Sequence, residues 1–240
     1  MERARGAAHT IAAALTRTPG LTVLLKHDLF GSVTRIERDG APRVLRDCSD
    51  ARWWLRPLAR HLLGREGRAL QRLEGLERIP SLQSSSRDRL ERRWIEGLPM
   101  QIARPEDPAY FREALRLLRR MHARDLTHND LAKETNWLAT PEGLPAVVDF
   151  QLARHAPRRG RLFRMLAHGD LRHLLKHKRQ YLPGHLTARQ RAILAQPSPL
   201  SRIWRATVKP VYLFVTRRLL GWSDREGAGD RQENSRGGRL

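Results

Sequence analysis

Two stretches hold residues whose types and spacing can do chemistry: HNDLAKETNWL (128–138) and VVDFQLA (147–153). An acid in a loop, Asp130, is followed three residues on by Lys133 and six residues on by Asn136; an apolar run then ends in a second acid, Asp149. Phosphoryl transfer asks for little covalent chemistry from a protein. It needs a carboxylate to orient or deprotonate the attacking hydroxyl, a cation near the moving phosphoryl, and hard oxygen ligands for Mg²⁺. Asp130, Lys133 and the pair Asn136/Asp149 match those three parts in that order. The plain alternatives are an Asx-type turn at Asp130, a solvated loop lysine at 133 and a turn-forming aspartate at 149.

The elements around these residues can be read from the pattern of the chain. Residues 1–20 read as a short helix or frayed arm ending at Pro19-Gly20. Thr22–Lys26 and Ser32–Glu37 are strands about a turn over His27–Gly31, and Asp39-Gly40 is a hairpin signal before a third strand, Pro42–Arg46. The spacing of Leu55, Leu58, Leu62, Leu63, Leu70 and Leu73 predicts an amphipathic helix over Ala51–Leu73. A turn at Ser84–Asp88 and the stretch Leu90–Ile95 predict a further hairpin closed by Glu96-Gly97, which gives a small sheet with one helix. Pro108–Arg124 is a helix with Phe111, Leu115, Leu118 and Met121 on its apolar face. Leu126–Ala139 is loop-rich, Pro141–Gly143 is a turn, and Ala146–Phe150 is a buried strand that contains Asp149.

With these elements in place, HND (128–130) resembles the HRD of the protein kinase-like superfamily and DFQ (149–151) resembles its DFG. The resemblance extends over about residues 21–180 and is densest over 115–153. It is closest in kind to compact bacterial members, the RIO-type Ser/Thr kinases and the lipopolysaccharide-core sugar kinases. It implies an α+β, two-lobed kinase-like fold: an N-lobe over 21–97, with a small β-sheet and one helix, and a mostly helical C-lobe over 98–196. By the same resemblance, the loop at Phe30-Gly31-Ser32 covers ATP phosphates, and Arg46 stands where VAIK has its lysine. Glu66 is its helix partner, although a plain surface ion pair is the competing reading. Trp94-Ile95-Glu96-Gly97 is the hinge against adenine, and Asp170 braces the catalytic loop.

Several positions depart from the family pattern. The phosphate loop has one glycine, the third-strand cation is Arg, and Asp130 to Asn136 is one residue longer than usual, which calls for a bulge. Gln151 replaces the DFG glycine, Asn129 replaces the HRD arginine and no APE follows, so activation-loop phosphorylation is not expected to regulate the chain. His128 reads as a structural hydrogen-bonding residue, and the other histidines of 167–178 have no ligand spacing.

Composition bounds the partners. The chain has 240 residues, 40% of them apolar, and 46 Lys+Arg against 25 Asp+Glu, a net charge of +21. At this length about 70% of the unfolded surface can be buried, enough for one two-lobed domain or two small ones. Of the cations only Lys26, Lys133, Lys176, Lys178 and Lys209 are lysines, a skew toward Arg that points to a GC-rich, bacterial genome. The charge favours an anionic partner: phosphorylated substrate, an anionic membrane or, less favoured, nucleic acid. Residues 151–196 carry 11 Lys+Arg and the single acid Asp170, a local net charge of +10. Residues 197–222 interleave apolar and basic residues as an interfacial helix would, and 223–240 form a polar tail expected to be disordered. The lone Cys48 excludes an internal disulfide and fits a reducing compartment. No secretory signal or membrane span is legible, so the expected location is cytoplasmic, with peripheral contact at the inner face of the membrane.

The function expected from these readings is ATP- and Mg²⁺-dependent transfer of a γ-phosphoryl to a hydroxyl, of Ser/Thr protein kinase type. A glycolipid sugar kinase at the inner membrane is the alternative within enzymes. A pseudokinase scaffold that binds an anionic surface or RNA is the alternative outside them.

Overall fold

The computed structural model describes residues 22–196 and is α+β. The expected arm over 1–20, the basic segment over 197–222 and the tail over 223–240 lie outside the described residues. Five antiparallel strands make the first sheet: β1 (Val23–Asp28), β2 (Gly31–Arg38), β3 (Ala41–Asp47), β4 (Leu82–Ser85) and β5 (Arg89–Arg93), in the order β1-β2-β3-β5-β4. Asp39 and Gly40 both have positive φ, 54° and 68°, so the β2–β3 hairpin closes on the two-residue turn that matches the twist of its strands. The β1–β2 turn is tighter than expected. Asp28 already pairs with Gly31, and Asp28 Oδ1 accepts from the Phe30 amide at 2.8 Å.

Helix α1 (Arg56–Arg72) lies against β4 and β5. It starts five residues later than the leucine spacing predicts, because Pro57 suits a first turn and Ala51–Leu55 are held in turns. Gly67 allows the close approach: a Cβ there would sit 3.1 Å from the Ser85 hydroxyl. Val44 and Arg46 on β3 share a sheet face with Leu90 and Arg92 on β5, as their register and the two-residue period require.

After Gly97 the chain enters a second, three-stranded sheet of β6 (Leu98–Pro99), β8 (Trp137–Ala139) and β9 (Pro145–Val147), in the order β6-β8-β9. Between β6 and β8 come the short α2 (Met100–Ala103), α3 (Pro108–Ala123) and β7 (Leu126–Thr127). Asp107 caps α3, accepting from the Ala109 amide at 2.7 Å, and Tyr110 on its buried face donates to the Leu138 carbonyl at 3.0 Å. Strand β10 (Arg154–His155) pairs with β7 and leads to α4 (Arg161–Tyr181) and α5 (Ala188–Ala195). Trp137, Tyr110, Phe150, Leu117, Leu118 and Met121 are buried in the core beneath the loop that carries Asp130.

The described residues up to Ala195, from 22 on, make one compact unit, so Gly97 marks a change of sheet and not a break in the chain's packing. Among the described residues no helix is long and apolar enough to cross a membrane.

Candidate functional site

Three elements bring the chemistry-bearing residues together: the sheet with α1, the loop between β7 and β8, and the segment after β9. The loop is shaped by its own amides and by α4. Both carboxylate oxygens of the buried Asp170 accept from loop backbone, the His128 amide at 2.8 Å and the Asn129 amide at 2.9 Å. His122 adds a third contact at 3.2 Å. One face of α4 continues the brace. His177 Nε2 donates to the Leu131 carbonyl at 2.8 Å, and Gln180 and Tyr181 donate to the Glu134 carboxylate at 2.9 and 2.6 Å.

Within the loop, Asn136 Nδ2 donates to the Asp130 carbonyl at 2.9 Å and to its carboxylate at 3.0 Å. The extra residue between Asp130 and Asn136 is taken up by turns and a single 3₁₀ turn, Glu134–Asn136, so the longer spacing still closes. Lys133 Nζ lies 2.9 Å from Asp130 Oδ2. The Asn136 carbonyl accepts from the Val148 amide at 3.0 Å, which ties the loop to the approach of Asp149.

His128 is a structural residue. Its Nε2 donates to the Val148 carbonyl at 3.0 Å, its Nδ1 accepts from the Asp130 amide at 3.3 Å, and its ring packs on Phe150 with centroids 4.7 Å apart. That pair of bonds fixes the neutral tautomer. Burial pushes the imidazole below its ordinary value, against the pull of Asp170.

Asp149 differs from the expectation in one respect: β9 ends at Val147, and Asp149 stands two residues past it with φ 65°. The Val148 amide still bonds the Asn136 carbonyl in the β8–β9 register, but the Asn136 amide turns to the Lys133 carbonyl and the Val148 carbonyl accepts from His128, so the ladder ends there, and an aspartate tolerates the left-handed conformation that follows. Its Oδ1 lies 3.5 Å from Arg46 Nη2 without an aligned hydrogen bond. Burial alone would raise this carboxyl, yet the Arg46 and Arg92 guanidiniums hold it below the usual aspartate value. A buried carboxylate oxygen lacking a hydrogen bond is a hard oxygen donor of the kind suited to Mg²⁺ that also takes ligands from phosphates. Among the described residues no group of three or more His, Cys, Asp or Glu is placed to hold a metal, so any such site draws its further ligands from elsewhere.

Arg46 also meets Glu66, Nε to Oε2 at 3.4 Å, as the sequence predicts. Glu66 is fully buried and the Arg46 side chain is 15% exposed, which sets the pair apart from a surface ion pair. Sequence reasoning missed the third member: Arg92 Nε lies 3.2 Å from Glu66 Oε1. Its place follows from the pairing of β5 with β3, whose register puts Arg92 on the sheet face that Arg46 shares. It also missed Arg65, which donates to the Leu152 and Ala153 carbonyls at 2.9 Å each, and His177 and Tyr181, whose spacing from Asp170 puts all three on one helix face.

The remaining predicted positions have local structural roles. Gly31 has φ 117°, and a Cβ there would stand 2.1 Å from the Asp47 carbonyl, so the β2–β3 approach by itself requires glycine. Glu96 accepts from the Trp94 indole at 3.0 Å, while Gly97 lets the chain pass close to the Ala139 carbonyl. Asn129, at the left-handed φ of 68°, donates to the Leu152 carbonyl at 2.8 Å and so ties the loop to the DFQ segment. Asp130, Lys133 and Asn136 form one set of contacts and Arg46, Glu66 and Asp149 a second, joined through the bond from the Val148 amide to the Asn136 carbonyl; Gly31 and Glu96 have their contacts at the strands. No family model matches this chain, and no curated protein matches it.

Proposed function

We propose that the chain is an ATP- and Mg²⁺-dependent phosphotransferase with a two-lobed protein kinase-like fold, acting on a hydroxyl in the manner of a Ser/Thr protein kinase. The observation that carries this reading is the pair of contact sets in which Asn136 ties down Asp130 while Arg46 links Glu66 to Asp149, the two joined by the bond from the Val148 amide to the Asn136 carbonyl. In that arrangement Asp130 orients the acceptor hydroxyl and takes its proton as the oxygen bonds to the γ-phosphorus, while the bond from that phosphorus to the β–γ bridging oxygen breaks and ADP leaves with its electrons. Lys133 offsets charge on the moving phosphoryl, and Asn136 with Asp149 would hold Mg²⁺. Bound there, the ion neutralises charge on the phosphate oxygens. Arg46, held by Glu66, faces the α/β-phosphates; Gly31 lies at the turn above them, and the stretch from Trp94 to Gly97, with Glu96, borders adenine.

A glycolipid sugar hydroxyl is the second reading of the acceptor. The excess of 11 Lys+Arg over one acid between 151 and 196 favours it, as an anionic membrane face would attract that segment. It predicts binding to anionic liposomes that weakens with salt.

The test is a thermal-shift titration with Mg-ATP of the wild type, Asp149→Ala and Asp130→Ala. A ligand that binds only folded protein raises the midpoint as its concentration passes Kd. The expected result is a Mg²⁺-dependent rise that is lost in Asp149→Ala and kept in Asp130→Ala. Absence of any rise in folded wild type at millimolar nucleotide would overturn the enzyme reading in favour of a scaffold.

A further inference from the structure

A groove of about 580 Å³ opens on α1 away from Glu66, between that helix and the β7–β10 ribbon. Its walls carry Arg65, Arg68 and Arg72 from α1, Arg154 and His155 from β10, and His61 at the mouth. No carboxylate lines it among the described residues. Arg65 is fixed as part of the wall by its bonds to the Leu152 and Ala153 carbonyls. Arg68, Arg72 and Arg154 have no carboxylate partner among the described residues, and His155 Nε2 is buried without a hydrogen bond. Burial lowers the Arg65 guanidinium, and nearby Arg154 and Arg68 lower it further, the mark of like charges held close. The volume falls within the range of small-molecule sites, so the groove is larger than one bare ion needs.

We propose that this groove is an anion site for a phosphate-bearing small molecule, held between Arg68 and Arg72 on the helix and Arg154 on the strand. Guanidiniums present paired donors that match phosphate oxygens, and a tetrahedral dianion between them removes the mutual repulsion of the walls. The inference does not rest on the proposed phosphotransferase reading: its residues are separate from Arg46, Glu66, Asp130 and Asp149. Its consequence reaches that site nonetheless, because a ligand bridging α1 to β10 ties the helix that carries Glu66 to the segment that follows Asp149.

The test compares inorganic phosphate and glucose 6-phosphate by thermal shift at constant ionic strength, with no nucleotide present. Three proteins are used: the wild type, R68Q/R154Q, and R87Q/R93Q, which removes the same charge from exposed positions elsewhere. The expected result is a saturable rise in wild type and in R87Q/R93Q, with affinity weakened about tenfold or more in R68Q/R154Q, the loss of one or two charge-assisted contacts. Equal responses to the two ligands assign recognition to the phosphate alone; a stronger response to the sugar phosphate extends it to the ester. A response that never saturates, or one that falls alike in both double variants, is diffuse screening of a basic surface and overturns the proposal. R68Q/R154Q alters exposed side chains only, so its unliganded midpoint is expected to stay near wild type.

Discussion

Asn136 holds both ends of Asp130, donating from one amide nitrogen to its backbone carbonyl at 2.9 Å and to its carboxylate at 3.0 Å. The carboxylate therefore has a fixed direction, with the Lys133 ammonium on the same oxygen, Oδ2.

Replacing that amide by an isosteric acid tests the arrangement. Asn136→Asp removes two donors and puts a second carboxylate against the first, in a position that is buried in the wild type. The expected cost is about 1–3 kcal/mol or more near neutral pH. Because two close carboxylates raise one another's proton affinity, stability relative to wild type should recover as pH falls and one of them takes up a proton. Paired urea titrations at pH 7 and pH 5 check both the cost and its recovery.

Glu66 is fully buried and shares its carboxylate between Arg46 and Arg92. Glu66→Ala leaves two poorly solvated guanidiniums facing one another, with Asp149 the remaining acid near them, so a loss of about 3–5 kcal/mol is expected. Removing one of those charges as well should restore part of the loss. A double variant Glu66→Ala/Arg92→Met that is no more stable than Glu66→Ala alone would show that Arg92 is not what Glu66 compensates.

The brace through Asp170 makes a local prediction. Its two carboxylate oxygens accept the His128 and Asn129 amides, so Asp170→Ala strands two backbone donors in the interior. Each is worth about 1–3 kcal/mol when left unsatisfied. Hydrogen exchange should rise at 128–131 ahead of the sheet around β3 and β5, and Asp170→Asn, which keeps one acceptor oxygen, should show a smaller rise.

What could be read in the sequence was what one local rule decides. Asp39-Gly40 dictated its hairpin because only that turn closes two strands on residues tolerant of positive φ. The order Asp130, Lys133, Asn136, Asp149 was legible because loop and strand are close in the chain. Arg92 was not, since its role depends on the register of β5 against β3, which is set by tertiary pairing. His177 and Tyr181 were missed for a related reason: they act on loop atoms more than forty residues away, and only the helix face shared with Asp170 links them. β9 ends sooner because the Asn136 amide turns to the Lys133 carbonyl and the Val148 carbonyl accepts from the His128 ring, contacts between segments that strand propensity does not encode.

Gly31 separates a backbone requirement from a nucleotide role. At φ 117°, with a Cβ placed 2.1 Å from the Asp47 carbonyl, Gly31→Ala must distort the start of β2 whether or not nucleotide is present. Conformational strain of that kind costs about 1–3 kcal/mol before the clash is counted. The variant should lose stability without ligand, visible in the thermal midpoint of the nucleotide-free protein. An unchanged midpoint would place the reason for glycine at the phosphates instead.

The pH dependence follows from three imidazoles, those of His128 and His177 buried and that of His173 partly buried. Burial lowers His128, His177 and His173, the last to about 4, where Lys176 adds to the effect. Each takes up its proton more readily in the unfolded chain, whose histidines titrate near 6.5. The folded state therefore keeps its full stability above that pH and loses it progressively as pH falls from about 6.5 toward the folded values. For His173 the window runs from 6.5 down to about 4. Replacing His173 by leucine removes that group from both states, so the fall in stability across the window should be shallower than in wild type. Urea midpoints at pH 7.5, 6 and 5, taken for both proteins, measure the difference in slope; parallel curves would mean that the His173 imidazole charges as easily in the fold as in the unfolded chain.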